Sequence, residues 1–274
     1  LELEEHFFSL PNIEGKRRVR VLLPNEYKTR QGESFPVLYL HDGQNIFYSK
    51  EAYAGYSWKI IKLLKKHQDL ADVIVVAVDN SGFDRYFEYT PFETPGEASV
   101  ENSGGGEDYA EWFVSTLKPF IDSTYRTKSD RENTLLAGSS LGGLIAAYQG
   151  SRNPEIFGNL GIFSLASFLS EREFLTYVQE HPLHPDTRVY IQVGTEEGND
   201  TDESLSGKDI NQAYIDSSIY YVRALLMGQT PLENLHLHIF SGEHHGEYYW
   251  AKHFEEFLRF SNGSYVREFE QPLN

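Results

Sequence analysis

Short uninterrupted apolar runs recur along the chain. Each ends in glycine, asparagine, aspartate or serine, and most lead into a stretch whose apolar residues return every three or four positions. A continuous run is the mark of a strand buried on both faces, and the wider spacing marks an amphipathic helix. On this basis Pro36 to His41, Val73 to Val78, Leu135 to Ala137, Leu160 to Ser164, Arg188 to Gly194 and His236 to Phe240 read as strands. Trp58 to His67, Asp108 to Tyr125, a segment opening at Leu144, Glu171 to Glu180, Asp209 to Met227 and Trp250 to Phe260 read as helices. Near the start, Glu5 to Leu10 and Arg17 to Leu23 are separated by Pro11-Asn12 and Gly15, and they read as an antiparallel pair. Phe83 to Gly106 reads as a long irregular loop carrying Tyr86, Phe87, Tyr89 and Phe92. Strands alternating with helices predict an α/β fold. It has a mostly parallel central sheet of about eight strands with helices on both faces. One domain over residues 1–274 is expected, with 263–274 as a loose tail. In such sheets the reactive site lies beyond the carboxyl ends of the strands.

One strand end carries a recognisable turn. Leu135 to Ala137 leads into Gly138-Ser139-Ser140-Leu141-Gly142-Gly143, and a helix begins at Leu144. The pattern Gly138-x-Ser140-x-Gly142 is that of a nucleophile elbow, a serine held out of the backbone on a sharp strand-to-helix turn. Glycine is needed on either side because strand and helix approach too closely for side chains. The helix behind Ser140 presents free N–H groups to a developing anion. An ordinary glycine-rich turn is the alternative.

A serine hydroxyl needs a base, and the base needs an orienting acid. In the order Ser, acid, His, the base belongs after the last strand, where His244-His245 stands. His245 is the expected base and His244 the alternative. The acid belongs after the preceding strand, in Gly194-Thr195-Glu196-Glu197-Gly198. Glu197 is the expected acid, with Glu196, Asp200 and Asp202 as alternatives. The oxyanion would be held by the backbone N–H of Leu141 and of Gln44, which follows the third strand. His41 and Asp42 are expected to shape that loop and to wall the substrate.

Composition narrows the partners. The net charge is −17, which disfavours nucleic acid and anionic membranes, since a phosphate-binding surface needs clustered Lys and Arg. The run Lys16-Arg17-Arg18 reads as a solvated strand edge. There is no cysteine, which excludes disulfides and thiolate metal sites. No apolar run approaches the ~18 residues of a membrane span. The opening Leu-Glu-Leu-Glu-Glu lacks a basic n-region and an apolar h-region, and also a Met. A cytoplasmic location is the expectation, with a secreted mature form as the alternative. His236 and His238 alternate on a strand, with His244, His245 and Glu247 close in sequence, and zinc accepts such ligands. The hydrolytic spacing H-E-x-x-H is absent, so no catalytic metal and no cofactor are expected.

Together these segments resemble a known family, the bacterial esterase D-like branch of the α/β-hydrolases. It includes siderophore trilactone esterases, feruloyl and acetyl-xylan esterases, and mycolyltransferases. The resemblance rests on Leu40-His41-Asp42-Gly43-Gln44-Asn45-Ile46-Phe47, Glu88-Tyr89-Thr90-Pro91, Ala137 to Gly143, Val193 to Glu197, and His245-x-Glu247-x-x-Trp250. It implies the α/β-hydrolase fold, Ser140 as nucleophile, Glu197 as acid, His245 as base, and Gln44 and Leu141 as oxyanion donors. It also implies a serine carboxylic-ester hydrolase acting on a small-molecule ester. His41, Asp42, Trp58 and Tyr89 would bind the substrate, and the Tyr86 to Phe92 aromatics would wall an acyl or aryl pocket. Acyl transfer to an alcohol, or a non-catalytic binding protein of the same fold, are the alternatives. Two departures bear on substrate. Ser164-Leu165-Ala166-Ser167-Phe168 replaces the family's Ser-Pro-x-Phe-Trp, and the histidine loop reads His-Gly-Glu rather than His-Asn-Glu.

Overall fold

The computed structural model of the chain describes residues 1–94, 103–198 and 209–264. One eight-stranded sheet runs through it, in the order β1-β2-β4-β3-β5-β6-β7-β8. The strands are β1 (Glu2–Leu10), β2 (Ile13–Leu23), β3 (Val37–Leu40), β4 (Ile74–Val78), β5 (Thr134–Ser139), β6 (Asn159–Phe163), β7 (Arg188–Glu196) and β8 (Leu235–His244). β1, β2 and β4 pair antiparallel in turn, and every pairing from β4 through β3 to β8 is parallel. The helices are α1 (Ile60–Lys66), α2 (Arg85–Tyr89), α3 (Gly106–Trp112), α4 (Lys118–Thr124), α5 (Leu141–Arg152), α6 (Glu171–Glu180), α7 (Ile210–Met227) and α8 (Glu247–Ser261). None is long and apolar enough to cross a membrane among the described residues.

The two faces of the sheet carry separate cores, as side-chain alternation along a strand requires. Val37 and Tyr39 of β3 face the cluster built with α3 to α7, which includes Phe113, Leu144, Phe174 and Tyr221. Leu38 and Leu40 face the other cluster, where α1 and α8 supply Ile60, Leu64, Phe254 and Phe257. The central strands are apolar throughout because both faces are covered.

Three expectations need correcting. The expected loop from Phe83 to Gly106 is regular at its start, where a 3-10 turn, Gly82–Asp84, runs into α2; 90–94 and 103–105 carry no helix or strand, and 95–102 lie outside the described residues. A helix of one and a half turns is too short to show periodicity. The helix expected from Asp108 to Tyr125 is interrupted by a π-helical turn, Phe113–Leu117, between α3 and α4. Finally, Arg17 is not on a solvated edge. It is 5% exposed, and its guanidinium lies 2.7 Å from the fully buried Glu88 carboxylate of α2. Arg18 is tied to Asp79 and Glu51. The hairpin is thereby fastened to the loops at the carboxyl end of the sheet.

Candidate active site

Ser140 sits between β5 and α5 with φ 57° and ψ −124°. A side chain in that region is strained, and such strain persists only where the surroundings enforce it. The enforcement is visible at Gly138, where a Cβ would come within 2.3 Å of the Gly142 carbonyl oxygen. The Ser140 N–H donates to the Phe163 carbonyl of β6 at 2.9 Å, fixing the turn against the next strand. Leu141 is the first residue of α5, so its N–H has no acceptor within the helix. Gln44 lies in a 3-10 turn, Gly43–Asn45, that follows Asp42, a residue in left-handed backbone (φ 53°). That turn is close to the head of α5: a Cβ at Gly142 would meet Asp42 Oδ2 at 2.9 Å.

β7 and β8 bring the other two groups together. Their pairing shifts register after Gly194 and resumes at Glu196 opposite His244. One residue further on, Glu197 and His245 point the other way. Glu197 Oε2 is 2.7 Å from His245 Nδ1, with Glu197 1% exposed. The second carboxylate oxygen accepts from the Gly194 N–H at 2.6 Å and from Ser164 Oγ at 2.7 Å. Gly194 must lack a side chain, since a Cβ there would sit 2.1 Å from the Glu243 carbonyl oxygen. Glu196 and His244 form a separate, exposed pair at 3.2 Å. The imidazole of His245 is packed by Tyr214, at 4.7 Å between ring centres, and edge-to-face by Trp250 at 4.9 Å. Asp200 and Asp202, the more distant candidate acids, lie outside the described residues, as does the tail from residue 265.

The four residues expected to bind substrate lie beneath the site instead. His41 is 2% exposed; its Nε2 donates to Gln149 Oε1 at 2.9 Å and its Nδ1 lies 3.0 Å from the Tyr109 hydroxyl. Burial pushes its pKa down to about 4, so the ring is neutral. Asp42 is held by Arg85 through two bonds of 2.7 and 2.8 Å and by Asn80 at 2.6 Å. Burial raises its pKa, but the Arg85 charge and these hydrogen bonds outweigh that and leave the carboxyl below its ordinary range. Tyr89 is fully buried, and its hydroxyl accepts from the Asp42 N–H at 3.1 Å. Trp58 packs among Phe163, Trp250 and Phe254 in the core. All four border the loop carrying Gln44, and the side-chain polar atoms of His41, Asp42 and Tyr89 are engaged within the protein. In the aromatic segment, Phe92 packs on Tyr148 and Tyr177, and Tyr86, Phe87 and Phe92 are half-buried.

Sequence reading named Ser164, Asn45 and Glu247 but gave them no part in supporting the triad. Ser164 has φ 47°, and its hydroxyl also accepts from Trp250 Nε1 at 2.9 Å. Asn45 Nδ2 donates to Glu247 Oε1 at 3.0 Å, tying the Gln44 turn to the start of α8. Burial pushes the Glu247 carboxyl above its ordinary range. The signal for Ser164 was its place at the end of β6, beside the elbow. A cavity of about 630 Å³ beside Leu70, Leu135, Arg188 and Leu258 opens at the opposite end of the strands, away from these groups.

Comparisons with known proteins give the family and the fold. The uncharacterized protein YbbA of Bacillus subtilis is 28% identical over 192 residues, covering 68% of this chain and 71% of YbbA. A ferulic acid esterase superposes with a TM-score of 0.69 at 18% identity, covering 96% of this chain and 99% of its own. The siderophore hydrolase EstA of Aspergillus nidulans superposes with a TM-score of 0.72 at 17% identity, covering 96% and 95%. At such identities the two structures show the shared α/β-hydrolase-like fold. A family model described as "Putative esterase" matches residues 11–260, and the chain belongs to that esterase family.

Proposed function

We propose that this esterase works through an acyl-enzyme on Ser140, with His245 as base and Glu197 as its orienting acid. The observation that carries the reading is the buried 2.7 Å contact from Glu197 to His245, at the same end of the sheet as the strained Ser140. Ser140 Oγ attacks the ester carbonyl carbon, and its proton passes to His245 Nε2. The N–H groups of Gln44 and Leu141 hold the oxyanion. The bond to the leaving alcohol breaks as that alcohol takes the proton from Nε2. Water, deprotonated by the same imidazole, then releases the acid and restores Ser140. Glu197 fixes the tautomer, keeping Nε2 free to accept, and stabilises the imidazolium.

The substrate is an ester of a small acyl or aryl acid, of the carbohydrate-ester or siderophore-lactone type. Support comes from the names of the two similar folds and from the aromatic surroundings of His245. Phe168 stacks edge-to-face on Tyr214 at 5.0 Å, and Tyr248, three residues past His245, is 57% exposed. A fluorophosphonate probe followed by peptide mapping tests the nucleophile. Label on Ser140, with hydrolysis of p-nitrophenyl, feruloyl, acetyl-sugar or trilactone esters, supports the reading. Label on Ser139, or products formed only with an added alcohol acceptor, would replace it.

A further inference from the structure

His236 and His238 stand two residues apart on β8 and so share one face. Glu256 of α8 lies against that face. Its Oε1 is 3.0 Å from His236 Nε2 and 3.4 Å from His238 Nδ1. One donor atom from each of the three residues lies within 4.8 Å of the other two. Zinc bonds of roughly 2.0–2.2 Å in a tetrahedral site leave neighbouring donors roughly 3.3–3.6 Å apart, close to these separations. The donors are also oriented from behind. The Tyr190 hydroxyl donates to Glu256 Oε2 at 3.1 Å, leaving Oε1 toward the imidazoles. The Tyr190 ring stacks on His236 at 5.1 Å with 6° between planes. Such outer contacts are what fix ligand rotamers in metal sites. The His238 side chain is 45% exposed, which leaves a side open for solvent ligands.

We propose that His236, His238 and Glu256 form a Zn²⁺ site separate from the reaction centre. Two imidazoles and a carboxylate suit zinc, and the cluster sits on the half of β8 farther from His245. Metal bound there staples β8 to α8, the two elements between which His245 hangs, and adds to stability by mass action.

The test uses tag-free full-length protein, stripped with EDTA, desalted and titrated with zinc sulfate by calorimetry at neutral pH. One saturable equivalent is expected, with a rise in Tm. His238→Ala removes a half-exposed side chain, so its metal-free Tm should match the wild type, while its zinc affinity falls at least about tenfold. Glu256→Gln should weaken zinc comparably. No saturable binding and no Tm rise in the wild type overturns the proposal. So does zinc binding of undiminished affinity in both variants, which would place the ion elsewhere, for example at His253 and Glu243.

Discussion

Ser164 Oγ donates a 2.7 Å hydrogen bond to Glu197 Oε1, on the oxygen that does not face His245. The carboxylate is therefore gripped from behind by a hydroxyl and a backbone N–H, with its other oxygen aimed at the imidazole. Ser164→Ala removes one grip. It should lower kcat by about tenfold with KM little changed, as loss of an orienting outer contact does. It should also cost about 1–3 kcal/mol of stability, because the Trp250 indole N–H loses its acceptor. Steady-state kinetics and chemical denaturation check both. A variant whose KM rises while kcat holds would speak for a substrate contact instead.

Ser140→Ala should abolish ester hydrolysis, lowering kcat by about 10⁴-fold or more, and leave the fold intact. The side chain is partly exposed at the turn, and its hydroxyl supports no core packing. Turnover near the wild-type rate, with circular dichroism unchanged, would remove the nucleophile from the mechanism.

The two adjacent Glu–His pairs allow a comparison within one loop system. His245→Ala should be about as damaging as the serine variant, since the two act as a unit. Glu197→Gln should lower kcat substantially but less, because the acid orients the imidazole without carrying the proton. His244→Ala and Glu196→Gln should be mild, their pair being exposed. Measured at saturating substrate, crippled Glu196 and His244 variants beside normal Glu197 and His245 variants would shift the assignment by one residue.

His41 makes stability depend on pH. Its pKa falls from 6.5 to about 4 on folding because burial disfavours the charged ring. The unfolded chain therefore binds a proton between these values that the folded chain refuses. The contribution is fully present above pH 6.5 and is lost as pH falls toward about 4, on the order of 3 kcal/mol in all. Urea denaturation across this range should show stability rising with pH. In His41→Gln the slope should be shallower, and an unchanged slope would assign the effect to other groups.

Most of the architecture was legible because parallel strands covered on both faces must be apolar at every position, and Val73 to Val78 or Arg188 to Gly194 can be little else. The order serine, acid, histidine then placed the candidate triad at the carboxyl ends of β5, β7 and β8. Direction was harder to read. His41 and Asp42 do lie at a strand end, and Trp58 and Tyr89 in the segments that follow strands, but position along the chain does not tell whether a side chain faces solvent or turns inward. Arg17 illustrates the same limit: a charged residue reads as exposed until a distant carboxylate, here Glu88, is brought to it. Ser164 stood only at the head of a segment that departs from the family's Ser-Pro-x-Phe-Trp. Its role exists only through Glu197 and Trp250, which lie far from it in sequence.

The burial of His41, Asp42 and Tyr89 means that the proposed chemistry and the recognition of substrate would fall to different residues. In the proposed mechanism this frame would set the Gln44 turn through contacts made within the protein, chiefly Asp42 to Arg85 and Asn80. Selectivity could then be engineered by exchanging the exposed Tyr248 and the half-buried Phe168 while the frame stays constant. A library restricted to those two positions would explore new substrates without unsettling the turn proposed to hold the oxyanion.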